Sequence, residues 1–421
     1  MGPRAGGAEG RTDPPRLRAS ITTVTATRYL SLAVSMVVGV VLARSLDVPS
    51  RGELAVALAL SGIAAALLTA GLDTATLWAT RPADRAAALA ISRRRTLATS
   101  VVALGTAIPL ALAEGHIVPG AEPTTLAVAV GIIPLLVGNQ LFGNCAIAAG
   151  LVRQWSIASL ANLLTYGLSV VALAATQRGS APLYVLALGL GHSVQAALLR
   201  SAHGATVSEH NRAEIVQVKA VARGSSATSM LQLAMLRVPT PLISALAGAA
   251  AAGELAVALP FVEALLVLPV AAGAVLLPTY GRATFSRQAV LRHAGGVAAL
   301  TAAVSALLLV AAPTAVPWIY GADYAEAARL IQVMAPAAIL FTFARVLQSA
   351  LQAGSRFAIV TGATAAGVAT LLVVEVALAG TLKSLAAAIG LAAGLVVTAA
   401  VLSVGFMRGG QTRPGLAGPG S

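Results

Sequence analysis

From residue 21 onward the chain alternates long apolar runs with short polar breaks. A helix needs about 20 apolar residues to cross a hydrocarbon core of roughly 30 Å, so stretches of that length were cut at clusters of charge, Pro and Gly. Twelve spans result: 21–43, 53–78, 95–113, 124–149, 157–176, 183–199, 225–247, 254–277, 294–316, 327–351, 357–378 and 385–406. The pattern predicts an all-α polytopic membrane protein.

Orientation follows from the basic residues, because Lys and Arg in short loops stay on the cytoplasmic side. Of the 28, 21 fall on one face, including the clusters around Arg16, Arg94, Lys219 and Arg287. The opposite face receives only Arg44, Arg51, Arg178, Arg329 and Lys383, while Arg237 and Arg345 lie within spans. Both termini are therefore expected in the cytoplasm of a bacterial cell, with the chain in its cytoplasmic membrane. Residues 1–20 and 407–421, rich in Gly, Pro and Arg, read as tails without a core to join. A cleaved signal peptide ending at Ala43 is the competing reading of the first span, but its apolar run begins too late in the chain.

Composition agrees with lipid as the solvent. The chain of 421 residues is 57% hydrophobic and 10% charged, with a mean hydropathy of +0.85, whereas soluble domains carry about a quarter charged residues. A net charge of +13 would suit nucleic acid if it were gathered on one polar face; it is spread through connectors, and nucleic acid is not expected as a partner. A single cysteine, Cys145, builds neither a disulfide framework nor a thiolate metal site. The five histidines, His192 among them, have no ligand spacing and read as loop or helix-end residues, so no metal and no cofactor is expected. Trp78, Trp155, Tyr184, Trp318, Tyr320, Tyr324 and Phe406 stand at span ends, where an interfacial aromatic belt belongs.

The heptad Gly52-Glu53-Leu54-Ala55-Val56-Ala57-Leu58 opens span two and recurs as Gly253-Glu254-Leu255-Ala256-Val257-Ala258-Leu259 at span eight. Ala149-Gly150 before Arg153 and Ala353-Gly354 before Arg356 echo each other in the same six-span register. Six crossings return a chain to its starting side, so the halves share one orientation and relate by an axis along the membrane normal. The expected architecture is an N-terminal six-helix lobe at 21–199, a cytoplasmic linker at 200–224 and a C-terminal lobe at 225–406, with a site between the lobes. Ile215, Val216, Val218 and Val221 give the linker a short helix on the membrane surface.

An ionisable group at mid-bilayer costs about 2.5 to 3.5 kcal/mol on insertion scales, so the few that occur point to a wet cavity or a partner. Arg237 of span seven and Glu263 of span eight lie at similar depths and form a candidate ion pair, either in a charged central cavity or coupling site or as a plain structural link. Arg28, Asp73 and Arg345 share a depth nearer the cytoplasm, with Gln348 and Gln352, and together line an expected inward mouth. Two arginines suit a phosphate or diphosphate, since the planar guanidinium offers paired donors; snorkelling to lipid head groups is the alternative for Arg28. Asn139, Gln140, Asn144 and Gln232 are expected as polar lining or interhelical hydrogen-bonding groups. Glu375 stands near the outer end of span eleven, within reach of water. Pro239 and Pro241 directly follow Arg237 and mark span seven as the moving part.

No nucleophile elbow, HExxH, Walker loop or carboxylate cluster is present, and the outer connectors are short, so an enzyme is not expected. The stretch Ala43-Arg44-Ser45-Leu46-Asp47-Val48-Pro49-Ser50-Arg51-Gly52, with Gly71-Leu72-Asp73-Thr74-Ala75, resembles the N-terminal signature of polysaccharide exporters in the multidrug, oligosaccharidyl-lipid and polysaccharide (MOP) exporter superfamily. Tyr320-Gly321-Ala322-Asp323-Tyr324 and the run from Gln348 to Arg356 resemble the matching stretches of that family's second lobe. The resemblance implies a flippase of the O-antigen or teichoic-acid type, carrying an undecaprenyl-diphosphate-linked glycan by alternating access around a cationic cavity. Arg28, Arg237 and Arg345 are the candidates for that cavity, and glycan polymerases or glycosyltransferases are the implied partners beside membrane lipids. Many relatives place an Asp close behind the span-seven Arg, whereas Val238 to Pro241 follow here. The alternatives are a cation-coupled multidrug exporter of the same superfamily and a non-transporting scaffold for glycan assembly. A major facilitator carrier is disfavoured, because the loop after span two lacks that group's glycines around Asp84-Arg85.

Overall fold

The computed structural model describes residues 14–69, 71–79, 82–113, 118, 121–202, 212–282, 286–353 and 356–408. Fourteen α-helices make up twelve passages: α1 (Pro14–Ser45), α2 (Val48–Thr69) with α3 (Leu72–Trp78), α4 (Pro82–Ala111), α5 (Pro123–Ala148), α6 (Val152–Ala175), α7 (Ala181–Ala202), α8 (Arg212–Arg237) with α9 (Pro239–Ala247), α10 (Ala249–Arg282), α11 (Arg287–Tyr320), α12 (Ala325–Ala353), α13 (Phe357–Leu382) and α14 (Ser384–Arg408). Nine of these helices are long and apolar enough to cross a membrane, and the bent pair α8 and α9 makes a tenth passage. The other two are α1, whose apolar part is Tyr29–Ser45, and α4, whose first half carries Arg85 and Arg93 to Arg95. At 1.5 Å per residue the 30 residues of α4 extend about 45 Å, enough for a polar first half below an apolar second half. The chain is a multi-pass membrane protein of two six-helix lobes.

Packing within the lobes repeats. In the first, α4 packs on α5, α6 on α7, α5 on α7, α1 on α6 and α2 on α5; in the second, α11 packs on α12, α13 on α14, α12 on α14, α8 on α13 and α10 on α12. Each pairing of the second set is its counterpart shifted by six passages, which is what a parallel pseudo-twofold axis produces. Because an even number of passages separates the ends, the start of α1 and the end of α14 share one face, here termed terminal; the other is distal.

Two passages are broken. Span two, expected as one helix over 53–78, divides at Gly71, where φ is +78° and α8 comes so near that a Cβ would lie 2.2 Å from the Ala222 carbonyl oxygen. Only glycine meets both demands. Span seven bends by 42° at Val238, because Pro239 and Pro241 cannot donate to the carbonyls one turn earlier. Residues 212–223, read as part of the linker, instead continue span seven as α8, and Val218 and Ala222 are buried where α8 packs on α2, α3 and α4 rather than lying on a membrane surface.

The lobes meet most extensively through α2 and α10 at the distal end. There the repeated heptads cross: a Cβ on Gly52 would lie 1.8 Å from the Ala249 carbonyl oxygen, and one on Gly253 would lie 2.2 Å from that of Val48. Each glycine faces the residue four positions before the other, so the pseudo-twofold axis runs between them. Asp47 caps the start of α2 by accepting from the Ser50 amide at 3.0 Å, and its bonds to Ser50 hold its carboxyl below the usual carboxylate range. Arg44 closes the seam further, donating from Nε to the Ile319 carbonyl (2.8 Å) and from Nη2 to that of Trp318 (2.6 Å). Those are unsatisfied carbonyls at the end of α11.

Candidate functional site

The lobes touch at both ends of the seam, where α2 crosses α10 distally and where α8 packs on α3 towards the terminal face. A cavity of about 470 Å³ lies between α1, α6, α7 and α10, lined by Ser31, Ser35, Trp155, Ser159, Asn162, Gln195 and Glu263 among others. Trp155, placed in the belt by its position at a span end, is part of this wall.

Glu263 Oε1 lies 3.3 Å from Arg237 Nη2, so the expected ion pair across spans seven and eight is formed. Their side chains keep 30% and 43% exposure, which leaves the pair in contact with the cavity rather than sealed between helices. The atoms are close enough for charge attraction but not aligned as a hydrogen bond, and Glu263 Oε1 has no hydrogen-bond partner among the described residues. Arg237 is the last residue of α8, one before the bend, so movement of α9 against α8 acts directly on this pair.

The expected terminal-side cluster is not brought together. Arg345 on α12 donates from Nη1 to Gln348 Oε1 at 2.7 Å and makes no ion pair among the described residues. Asp73 sits in the first lobe on α3; its Oδ1 is buried without a hydrogen-bond partner, and its carbonyl accepts from Asn144 Nδ2 at 2.9 Å. The Arg28 side chain lies outside the described residues, although its backbone belongs to α1. Asn144 thus ties α5 to the break between α2 and α3, a structural use of a residue proposed as cavity lining.

The other polar candidates separate by face. Asn139 is buried and donates from Nδ2 to the His192 carbonyl at 2.8 Å, with His192 Nδ1 at 3.0 Å. Asn162 Nδ2 donates to Gln195 Oε1 at 2.8 Å, and Gln195 Nε2 to the Ser159 hydroxyl at 3.3 Å. This network joins α5, α6 and α7 and ends in the cavity wall. His192, read from sequence as a loop or helix-end residue, is inside α7 at its centre; the signal was the spacing of His192 with Gln195 and of Ser159 with Asn162, three apart on one helix face. Gln140 is exposed and is not among the residues lining this cavity; one step along a helix from the buried Asn139 turns the side chain by about 100°. Gln232 on α8 is half-buried and makes no hydrogen bond among the described residues.

Five residues differ from their sequence reading by burial. Arg51, assigned to an outer connector, is in the first turns of α2, 8% exposed, beside the phenol rings of Tyr166, Tyr320 and Tyr324, and its Nε has no hydrogen-bond partner. Tyr320 and Tyr324 are buried in the seam rather than in a lipid belt, and Tyr184 is buried within the first lobe, where its hydroxyl donates to Ser45 Oγ at 2.9 Å. Glu375, expected to reach water, is fully buried against Gly390 of α14 with neither carboxylate oxygen hydrogen-bonded.

The fold, a pair of six-helix lobes, is similar to that of solved transporters of the MOP superfamily. The inward-facing structure of a multidrug resistance MATE-family transporter of that superfamily superposes with a TM-score of 0.72 at 16% identity, covering 90% of this chain and 94% of that one. An outward-facing structure of such a transporter gives 0.68 at 15% identity, covering 94% and 96%. A MOP-superfamily transporter from Pyrococcus furiosus, described as having a binding pocket of reversed polarity that suggests a different function, gives 0.60 at 14% identity, covering 92% and 94%. No family model and no curated protein sequence matches the chain.

Proposed function

We propose that the chain is an exporter that carries a lipid-linked oligosaccharide, joined to its polyprenyl carrier through a diphosphate, across the cytoplasmic membrane by alternating access. The carrying observation is the balance of charge within the bundle. Among the described residues the carboxylate in the cavity wall, Glu263, is already faced by Arg237 at 3.3 Å, while Arg345, on α12 of the second lobe and outside that wall, has no acidic partner. Uncompensated guanidinium suits a diphosphate. The serines, Asn162, Gln195 and Trp155 suit sugar hydroxyls and a sugar face. The excess of basic residues on the terminal face supports that face as cytoplasmic, the side on which such precursors are assembled.

Cation-coupled multidrug efflux is the second reading, favoured by the fold shared with multidrug resistance transporters. The two divide on the ion pair. In cells lacking their own flippase, Arg237→Ala and Arg345→Ala are expected to abolish surface glycan while the protein still accumulates in the membrane, and Glu263→Gln to reduce it less. Full glycan export by both arginine variants would remove the diphosphate reading. Ethidium efflux that depends on Glu263 alone would replace it with multidrug efflux.

A further inference from the structure

A second pocket, of about 410 Å³, opens on the outer side of the first lobe between α4, α5 and α7. Leu89, Leu97 and Phe142 form its apolar wall, and Arg93, Arg200, Thr96 and Ser100 its polar edge. It is separate from the interlobe cavity, with which it shares no lining residue. Both arginines are exposed, and neither forms a hydrogen bond or ion pair among the described residues. Arg200 stands at the terminal end of α7, so the charged edge lies at the terminal face.

The second lobe supplies an internal control. Phe406 lies two residues before the end of α14, as Arg200 lies two before the end of α7. There Phe406 packs with Phe343 against Val290, Ala294 and Val346, and the wedge between α11, α12 and α14 is filled by this cluster. The first lobe has exchanged that aromatic plug for a cation and an open space.

We propose that this pocket is a binding site for one anionic phospholipid of the leaflet on the terminal side. A phosphodiester between Arg93 and Arg200 receives the two unpaired guanidinium groups. Leu97, Val101, Leu104 and Ile108, at helical spacing and all exposed, continue from the pocket along α4 towards the distal face and provide a track for an acyl chain. The Thr96 and Ser100 hydroxyls already donate to carbonyls one turn back, at 2.9 Å each, so their oxygens are left to accept. That pattern selects a headgroup with hydroxyls of its own, of which phosphatidylglycerol is the simplest.

Native mass spectrometry of the purified full chain, titrated with phosphatidylglycerol or phosphatidylcholine, tests the assignment. One phosphatidylglycerol is expected to be retained per chain in preference to phosphatidylcholine, with affinity falling about fivefold for each of Arg93→Ala and Arg200→Ala. Arg200→Phe, which copies the second lobe, is expected to abolish retention, while Arg292→Ala on α11 leaves it unchanged. Equal retention of the two lipids, or undiminished retention by the Arg93→Ala and Arg200→Ala variants, would reduce the pocket to ordinary annular contact and overturn the proposal. Retention of inorganic phosphate at the two arginines with no retention of phosphatidylglycerol would also overturn it, showing an anion site without a lipid. A melting temperature of Arg200→Phe equal to that of the parent in lipid-free detergent separates lost binding from lost fold; the two alanine variants decide the matter where Arg200→Phe does not fold.

Discussion

Gly52 and Gly253 press against each other's helices from symmetric positions, each opposite the carbonyl oxygen four residues ahead of its counterpart. Nothing larger than hydrogen fits at either, because a Cβ would fall 1.8 Å or 2.2 Å from a carbonyl oxygen that has no side-chain freedom with which to retreat. Gly52→Ala and Gly253→Ala are each expected to destabilise the closed distal seam by about 1 to 3 kcal/mol. With Cys145 replaced by serine to remove the native thiol, a cysteine at Leu54, fully buried in the parent, should become reactive to an impermeant maleimide in either alanine variant. Unchanged protection would show that the seam tolerates the added methyl.

The Arg237 and Glu263 pair should matter little to stability. Its groups remain partly exposed in the cavity, and exposed ion pairs contribute about 0.2 to 1 kcal/mol. A double-mutant cycle over Arg237→Ala and Glu263→Ala, read by thermal unfolding in detergent, is expected to give a coupling inside that range, although the arginine change alone is expected to stop the proposed export. A coupling of several kcal/mol would mark the pair as a structural link.

Glu375 presents the opposite case. A carboxyl with no hydrogen-bond partner, enclosed by Gly390 and apolar neighbours, leaves unsatisfied polar atoms that cost about 1 to 3 kcal/mol. Glu375→Leu is therefore expected to raise the melting temperature. A lower melting temperature would show that the carboxyl has a partner that stabilises the fold.

The bend at Val238 predicts a loss of motion. Replacing both Pro239 and Pro241 by alanine restores donors to the turn after Arg237. The doubly substituted protein should melt higher than the parent and export more slowly, with the reduction read as initial rate at saturating substrate.

The passages were legible in the sequence, and their faces were not. Runs of apolar residues found all twelve, since lipid imposes a length on each helix, and the recurring heptad revealed the shared register of the lobes. Pro239 and Pro241 announced the span-seven bend, but Gly71 did not announce the break in span two, because a glycine among apolar residues becomes a break only when α8 approaches it. The same limit applied to charge. Hydropathy treats Arg51 as a loop residue at the start of a span; tyrosines contributed by the other lobe bury it. Asn139 and Gln140 are neighbours in sequence, yet one is buried on His192 and the other is exposed, a distinction that requires the packing of α5 on α7. Of the site, the Arg237 and Glu263 pair could be inferred from depth alone, because the two helices are joined by a short connector that fixes their register. Arg345 and Asp73, matched by depth only, stand in different lobes.

The crossing of the two heptads has a bearing on ancestry. A contact in which each side offers the same residue to the other's equivalent carbonyl is the signature of an isologous interface, the kind formed at the axis of a homodimer. The seam between α2 and α10 thus has the form of an interface between two copies of one six-helix subunit that later became a single chain. Fragments 1–206 and 207–421, produced together, are accordingly expected to assemble through that seam and to co-purify.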